Sequence, residues 1–175
     1  VDSEKIVTTP MPPAQAVGPK TDMLWVGNEV PFKDFWTAID AAGRLRRPLT
    51  LIGNPVPMTD GPLHSWIGDL KRAEVFGYYR NARTLVMTSR AESLGLPLIE
   101  AMQAGLPVVA PDLPYARELC GDAAEFFKPG DAGDLARAID RLEERRETLR
   151  TLGHQNVARL IKKLPFERLV ELIIE

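Results

Sequence analysis

The sequence is poor in the residues that disulfide-bonded and metal-binding proteins rely on. Its 175 residues include one cysteine, Cys120, and two histidines, His64 and His154. A single cysteine excludes an internal disulfide and fits a reducing compartment, and no cysteine or histidine cluster has the spacing of a metal site. We therefore expect Cys120 to serve in packing and both histidines to lie at the surface.

Long apolar runs and an excess of one charge are also missing. No run approaches the ~18 residues of a membrane-spanning helix, and no signal peptide is visible. The 22 basic and 24 acidic side chains leave a net charge of −2, which predicts neither a nucleic-acid-binding surface nor a surface for anionic membranes. These observations favour a cytoplasmic protein with no transmembrane segment and no nucleic-acid partner.

Three common catalytic motifs are absent as well. The sequence contains no Gly-x-Gly-x-x-Gly, no Gly-x4-Gly-Lys-Ser/Thr and no Gly-x-Ser-x-Gly. A dinucleotide-dependent oxidoreductase, a P-loop phosphotransferase and a hydrolase with a nucleophile elbow are therefore poorly supported.

What the sequence does contain is an alternation of apolar strands and amphipathic helices. With 45% hydrophobic and 26% charged residues, the chain is long enough for one domain with a real core. The alternation from residue 22 onward is typical of a doubly wound, Rossmann-like α/β fold, in which helices cover both faces of a parallel sheet. In helix 33–45 we expect Trp36 to lie on the inner face beside Phe35. The predicted strands are 23–26, 49–52, 65–67, 84–87, 107–110 and 124–127, and the predicted helices are 33–45, 72–82, 97–105 and an amphipathic one after residue 131.

The two ends of the chain differ from this alternating part, which we assign to residues 21–160. Four prolines by position 19, with few apolar residues between them, predict an extended connector over residues 1–20. Gly153 and Pro165 are expected to break the C-terminal region into two short helices. The last helix, within 161–175, is apolar enough to pack either on its own sheet or on a partner domain.

The most informative segment runs from Ser89 to Asp112. It predicts a strand end, a tight glycine turn, a short helix that begins at Pro97, and another buried strand. Glu92 and Glu100 bracket the free N–H groups at the start of this helix, a layout suited to holding a sugar diphosphate. The alternative is an acidic first turn that only complements the helix dipole.

This segment resembles the signature of the group-1 retaining glycosyltransferases, enzymes of two facing Rossmann-like domains (the GT-B fold). In that signature two glutamates separated by seven residues lie in a Glu-Gly-Phe-Gly-Leu-Pro context, and Glu92 and Glu100 fall on the acidic positions. Glu167 and Glu175 have the same spacing but no glycine turn between them. The resemblance therefore depends on the residues around Glu92 and Glu100 and not on the spacing alone. The remaining matches are Gly95, Leu96, Pro97, Ala101, Gly105, Pro107, Val108 and Val109.

The resemblance implies a hexosyltransferase-type enzyme that transfers a sugar from a nucleotide-diphosphate sugar with retention of configuration. It implies that Glu92 is the catalytic carboxylate, which orders sugar hydroxyls beside the reacting carbon. Glu100 would accept hydrogen bonds from the ribose diol, since a carboxylate is only an acceptor. No metal and no other cofactor are implied, and the sequence has no Asp-x-Asp motif.

A second constellation follows the first predicted strand, where Gly27 and Asn28 precede Lys33. Family members usually have Gly-Arg at this turn and a lysine about five residues later, both of which reach the diphosphate. Lys33 matches, but Asn28 replaces the arginine and can supply neither its charge nor its bidentate fork. Either Arg90 compensates or phosphate binding is weaker than in typical members. Further donors to the diphosphate would be the main-chain amides of Leu94, Gly95 and Leu96.

Residues 66–70 resemble a Phe-Leu-Gly segment of the family whose backbone edge meets the nucleobase. This predicts contacts with the donor at Gly68, Asp69 and Leu70. It does not tell whether the donor nucleotide is UDP or GDP. The stretch after Gly53 is too short and too rich in proline for the helix that family members generally have there.

The resemblance also implies that this chain is the C-terminal, donor-binding half of an enzyme. The acceptor would bind an N-terminal domain, so we expect this chain alone to bind donor weakly and to transfer little or no sugar. That N-terminal domain could also make a peripheral contact with a membrane. Asn28 and the shortened loop leave a second interpretation, a non-catalytic nucleotide- or sugar-binding regulatory module. A stand-alone Rossmann enzyme of another chemistry would need a complete catalytic set, which the chain does not show.

Overall fold

Six parallel strands form the central sheet of this protein. The computed structural model describes residues 20–28, 30–53, 60–68 and 70–163; the predicted connector and C-terminal helix lie almost wholly outside them. The strand order is β3-β2-β1-β4-β5-β6, and every pairing is parallel. The strands are β1 (Thr21–Val26), β2 (Leu49–Ile52), β3 (His64–Ile67), β4 (Ala82–Val86), β5 (Val108–Pro111) and β6 (Ala124–Phe127).

In the described residues, helices connect consecutive strands except β2 and β3, and they cover both faces of the sheet, which confirms the predicted doubly wound α/β fold. All the predicted strands are present within two residues of their predicted ends. The helices are α1 (Phe35–Leu45), α2 (Arg72–Asn81), α3 (Leu96–Gln103), α4 (Pro114–Cys120) and α5 (Ala132–Lys163), with a 3-10 turn at Pro31–Lys33. The short helix α4 was not predicted, although a proline at its first position is a common helix start.

The two faces of the sheet carry two separate hydrophobic clusters. Successive residues of a strand point to opposite faces, so Met23 and Trp25 pack with α1 and the first half of α5, whereas Leu24 packs with α2, α3 and α4. All three of these β1 side chains are almost completely buried. Because β1 lies in the middle of the sheet, the loop that follows it is held on a rigid support.

Helix α5 corrects the prediction of a break at Gly153. It runs without interruption over 32 residues, packs its first half on the cluster around α1, and contributes Val157 and Leu160 to the opposite cluster. A Cβ atom at position 153 would lie 3.4 Å from Cβ and Cγ of Met102, so Gly153 sits at a close approach between α5 and α3. This packing outweighs the ~1 kcal/mol that a glycine costs a helix.

The prediction for Trp36 was wrong in its orientation. Its side chain is 54% exposed, whereas Phe35 is buried and stacks against Trp36 with ring centroids 5.0 Å apart. The buried positions of α1 include Phe35, Ala38, Ala41 and Ala42, a spacing of three and four residues that leaves Trp36 outside the inner face.

Cys120 is expected to resist thiol reagents until the protein opens. The side chain is fully buried, and burial raises the pKa of the thiol to about 12, so very little thiolate is present at neutral pH. We expect labelling by an aromatic disulfide reagent to be at least ~100-fold slower in buffer than in denaturant. Cys120→Ser should remove all labelling, and rapid stoichiometric labelling of the native protein would contradict the packing role.

Candidate functional site

The candidate site lies where the strand order of the sheet reverses. β1 and β4 are neighbours at the centre of the sheet, although two strands and two helices separate them in the chain. In open α/β sheets, ligands bind at the carboxyl ends of the strands at such a switch point. The loops that follow β1 and β4 carry Lys33 and Glu92, so the topology brings two predicted site residues together.

Thr88, which follows β4, connects these two loops. Its hydroxyl accepts a hydrogen bond from Nε1 of Trp25 at 3.0 Å and donates to the carbonyl oxygen of Lys33 at 2.8 Å. The N–H of Arg90 donates to the carbonyl oxygen of Phe32 at 2.7 Å. These bonds attach the 3-10 turn to the segment after β4 and hold the backbone of Lys33 in place. The sequence analysis did not identify Thr88.

Lys33 and Glu92 form a nearly buried ion pair. The ammonium Nζ lies 2.5 Å from Oε1 of Glu92, and the two side chains are only 14% and 9% exposed. A buried charge without a partner is strongly destabilising, so each of these side chains supplies the opposite charge that the other needs at this depth. The pair places a cation and an acceptor carboxylate side by side at the switch point.

The glycine turn before α3 presents free main-chain donors beside this pair. Gly95 has φ of +60°, and a Cβ atom there would lie 2.4 Å from Cδ1 of Leu119, so a larger residue would strain the backbone and force the Leu119 side chain to move. Among the described residues, the amides of Leu94, Gly95 and Leu96 donate no hydrogen bond. Unpaired amides at a helix start form a site for an anion.

Glu100 lies on the second turn of α3 and faces α2. Its Oε2 accepts a hydrogen bond from the hydroxyl of Tyr79 at 3.1 Å, and its Oε1 lies 3.0 Å from Nη2 of Arg72. Burial raises the pKa of Glu100, while the charge of Arg72 and the hydrogen bonds from Arg72 and Tyr79 act in the opposite direction. The two glutamates therefore flank the start of α3, with Glu92 on the side of Lys33 and Glu100 on the side of α2.

Other predicted site residues lie at the carboxyl ends of β1 and β3, and Asp69 lies outside the described residues. Gly27 and Asn28 follow β1 directly, and Gly68 and Leu70 follow β3. The guanidinium of Arg90 makes two 3.0 Å hydrogen bonds to Asp34, so in this structure it is paired with an acid instead of standing free beside Asn28.

Tyr115 is a further residue near the site that sequence reasoning missed. Its hydroxyl donates to the carbonyl oxygen of Ser89 at 2.6 Å, which ties α4 to the segment after β4. Burial, with a smaller contribution from the charge of Glu92, raises the pKa of Tyr115 above its ordinary range. Tyr115, Arg72 and Tyr79 carry no local pattern that distinguishes them from ordinary helix residues, because their partners come from other elements.

Neither a metal-binding cluster nor a helix that could cross a membrane is present in the described residues. Across 20–28, 30–53, 60–68 and 70–163, no group of three or more histidine, cysteine, aspartate or glutamate side chains is placed to hold a metal ion. In the same residues, no helix is both long enough and apolar enough to cross a bilayer.

Residues 62–159 match the model of the family described as glycosyl transferases group 1. That segment is more than half of the chain and includes β3 to β6, the glycine turn and both glutamates. The protein therefore belongs to the group 1 glycosyltransferases.

Curated relatives in this family include sugar transferases of bacteria and plants. The chain is 33% identical over 75 residues to the serotype-specific mannosyltransferase WbdA of Escherichia coli, covering 43% of this chain and 9% of WbdA. It is 38% identical over 93 residues to the sulfoquinovosyl transferase SQD2 of Arabidopsis thaliana, covering 49% of this chain and 18% of SQD2. The O-antigen chain mannosyltransferase B of E. coli is 30% identical over 133 residues, with 66% and 35% covered.

Solved glycosyltransferase structures share the fold. Sucrose-phosphate synthase from Thermosynechococcus elongatus superposes with a TM-score of 0.72 at 24% identity, over 91% of this chain and 44% of that protein. Anabaena HepE, solved in complex with UDP and glucose, gives a TM-score of 0.69 at 19% identity, with 88% and 47% covered. The chain thus spans less than half the length of each of these relatives.

Proposed function

We propose that this chain is the donor-binding domain of a retaining hexosyltransferase and binds a nucleotide-diphosphate sugar at the β1–β4 switch point. The observation that supports this most directly is the Lys33–Glu92 pair beside the unbonded amides of residues 94–96. A cation and free amides suit a diphosphate, and the adjacent carboxylate suits sugar hydroxyls.

The chemistry of transfer explains why these groups lie together. Cleavage of the bond between the anomeric carbon and the phosphate oxygen leaves positive character on the carbon and negative charge on the diphosphate. Lys33 and the amides of Leu94, Gly95 and Leu96 stabilise the leaving diphosphate because they are already in position when the charge develops. Glu92 keeps its second oxygen for the sugar hydroxyls. No metal or other cofactor is needed in this scheme.

Retention of configuration completes the proposal. The acceptor hydroxyl attacks the face from which the diphosphate departs, and a phosphate oxygen of the leaving group takes the acceptor proton. The acceptor approaches from a second, N-terminal domain, so the isolated chain is expected to bind donor weakly and to transfer little or no sugar. The cytoplasm is the proposed location, because a single cysteine fits a reducing compartment.

One observation favours a second candidate, a regulatory module with a diverged donor site. Asn28 stands where the resemblance implies an arginine, and the guanidinium of Arg90 is engaged by Asp34. A site with one fewer cation binds a diphosphate less strongly. This candidate predicts that neither UDP nor GDP binds measurably.

Calorimetric titration with UDP and GDP distinguishes the two candidates. If the donor site is functional, one nucleotide binds, and Glu100→Ala weakens that binding by about 10- to 100-fold, since hydrogen bonds to a charged group contribute ~1.5–3 kcal/mol. Glu144→Ala is the matched control, because Glu144 is exposed on α5 and should leave the affinity unchanged. Absence of binding to both nucleotides would favour the regulatory module.

A further inference from the structure

Tyr79 places a hydroxyl group inside the hydrophobic core, against the carboxylate of Glu100. The residue is only 1% exposed, and its ring packs edge-on against Phe76 with centroids 5.7 Å apart. Buried polar atoms are costly without a partner, and the partner of this hydroxyl is Oε2 of Glu100 at 3.1 Å. The surrounding cluster prevents the ring from turning away, so the hydroxyl has a fixed direction.

Helix α2 contacts both oxygens of the Glu100 carboxylate. Arg72 and Tyr79 are seven residues apart on α2, which is two helical turns and places them on the same face. Arg72 contacts Oε1 at 3.0 Å, and Tyr79 contacts Oε2 at 3.1 Å. Two contacts to different oxygens fix both the position and the plane of the carboxylate. Each oxygen still has a lone pair for a further donor.

The same contacts decide which protonation state the carboxylate takes. Burial favours the neutral acid, whereas the charge of Arg72 and the hydroxyl of Tyr79 favour the ionised form. Only the ionised form is solely an acceptor at both oxygens, since the neutral acid carries an O–H donor on one of them. A hydroxyl donor at Oε2 therefore supports a carboxylate that accepts from two neighbouring hydroxyl groups.

We propose that Tyr79 is a positioning residue for ribose recognition, which acts through Glu100 and lets this domain select ribonucleotides over 2′-deoxyribonucleotides. This inference rests on the proposed donor site, because it concerns how the ribose diol is held there. A rigidly oriented carboxylate rejects a sugar that lacks one hydroxyl, since one of its acceptor positions is then left unpaired. A carboxylate that is free to rotate pairs with the single remaining hydroxyl and discriminates less.

The test compares UDP with 2′-deoxy-UDP, and GDP with 2′-deoxy-GDP, by calorimetry on the whole 175-residue chain. For the unaltered protein we expect the ribonucleotide to bind at least ~10-fold more tightly than its 2′-deoxy form. Tyr79→Phe removes one oxygen and keeps the ring. We expect it to bring the ratio below about threefold by weakening the ribonucleotide, while the affinity for the deoxynucleotide stays the same. A general loss of structure would weaken both nucleotides equally.

Two further variants make the result decisive. Tyr78→Phe changes the same group at the neighbouring, half-buried position of α2 and should keep the full ratio. Arg72→Gln alters the other contact to Glu100 at a side chain that is 36% exposed, and it should reduce the ratio even if Tyr79→Phe folds poorly. If a folded Tyr79→Phe or Arg72→Gln protein keeps the ratio of ribonucleotide to 2′-deoxynucleotide affinity, this inference is wrong, but the proposed donor site is not contradicted. If the unaltered chain binds none of the four nucleotides, the donor site and this inference both fail.

Discussion

Replacing Gly53 with alanine is expected to destabilise the protein by on the order of 3 kcal/mol. Gly53 follows β2 with φ of +144°, and a Cβ atom there would lie 1.7 Å from the carbonyl oxygen of Gly27. The carbonyl oxygen belongs to the main chain and the position of Cβ is fixed by the main chain, so no side-chain rotation can relieve the overlap. The amide of Gly27 donates to Ile52 and the amide of Gly53 to Ile67, so the ends of three strands would have to shift.

Gly43→Ala is the matched control for this prediction. Gly43 lies within α1, and a Cβ atom added there meets no atom within 4 Å. The same chemical change should therefore stabilise the protein by roughly 0.5–1 kcal/mol through helix propensity. Urea unfolding of both variants measures the change in the free energy of unfolding, which should be negative for Gly53→Ala and positive for Gly43→Ala. A Gly53→Ala protein with the unfolding midpoint of the unaltered chain would show that the ends of β1 and β2 are not packed as described.

Loss of the Lys33 ammonium is expected to weaken UDP or GDP binding by about 10- to 100-fold. We assign this cation to the diphosphate, so uridine or guanosine, which have no phosphate, should bind the Lys33→Ala variant as they bind the unaltered chain. The dependence of nucleotide affinity on salt should also become smaller, since one charge contact is lost. Calorimetry at two salt concentrations measures both effects.

Two controls separate this effect from a loss of folding. Lys33→Ala leaves the carboxylate of Glu92, which is 9% exposed, without its cation, and that alone is destabilising. The double variant Lys33→Ala/Glu92→Gln removes the uncompensated charge and should recover stability without recovering affinity. Lys20→Ala removes an exposed lysine at the amino end of β1, whereas the site lies at the carboxyl end of that strand, and it should change nothing. If the Lys33→Ala variant binds UDP and GDP as tightly as the unaltered protein binds them, Lys33 does not contact the diphosphate.

Most elements of this fold could be predicted because their patterns are local. Several of the apolar strands are flanked by glycine or proline, and helix α3 has a proline in its first turn and a glycine shortly after its end, so each could be identified without its neighbours. The failures were of another kind. Gly153 is a helix breaker by propensity, but α5 continues through it because it packs against Met102. Trp36 is a core residue by type, but it lies on the outer side of α1.

The amino-acid sequence alone was enough to identify the glycine turn, its two glutamates and the alternation typical of a parallel sheet, because each depends on residues close together in sequence. The contacts that make these residues a site required the folded protein. Lys33 meets Glu92 across 59 residues, and Tyr79 meets Glu100 across 21, because β4 inserts beside β1 and α2 packs beside α3. No local periodicity encodes which strands become neighbours, so these partners are known only from the tertiary structure.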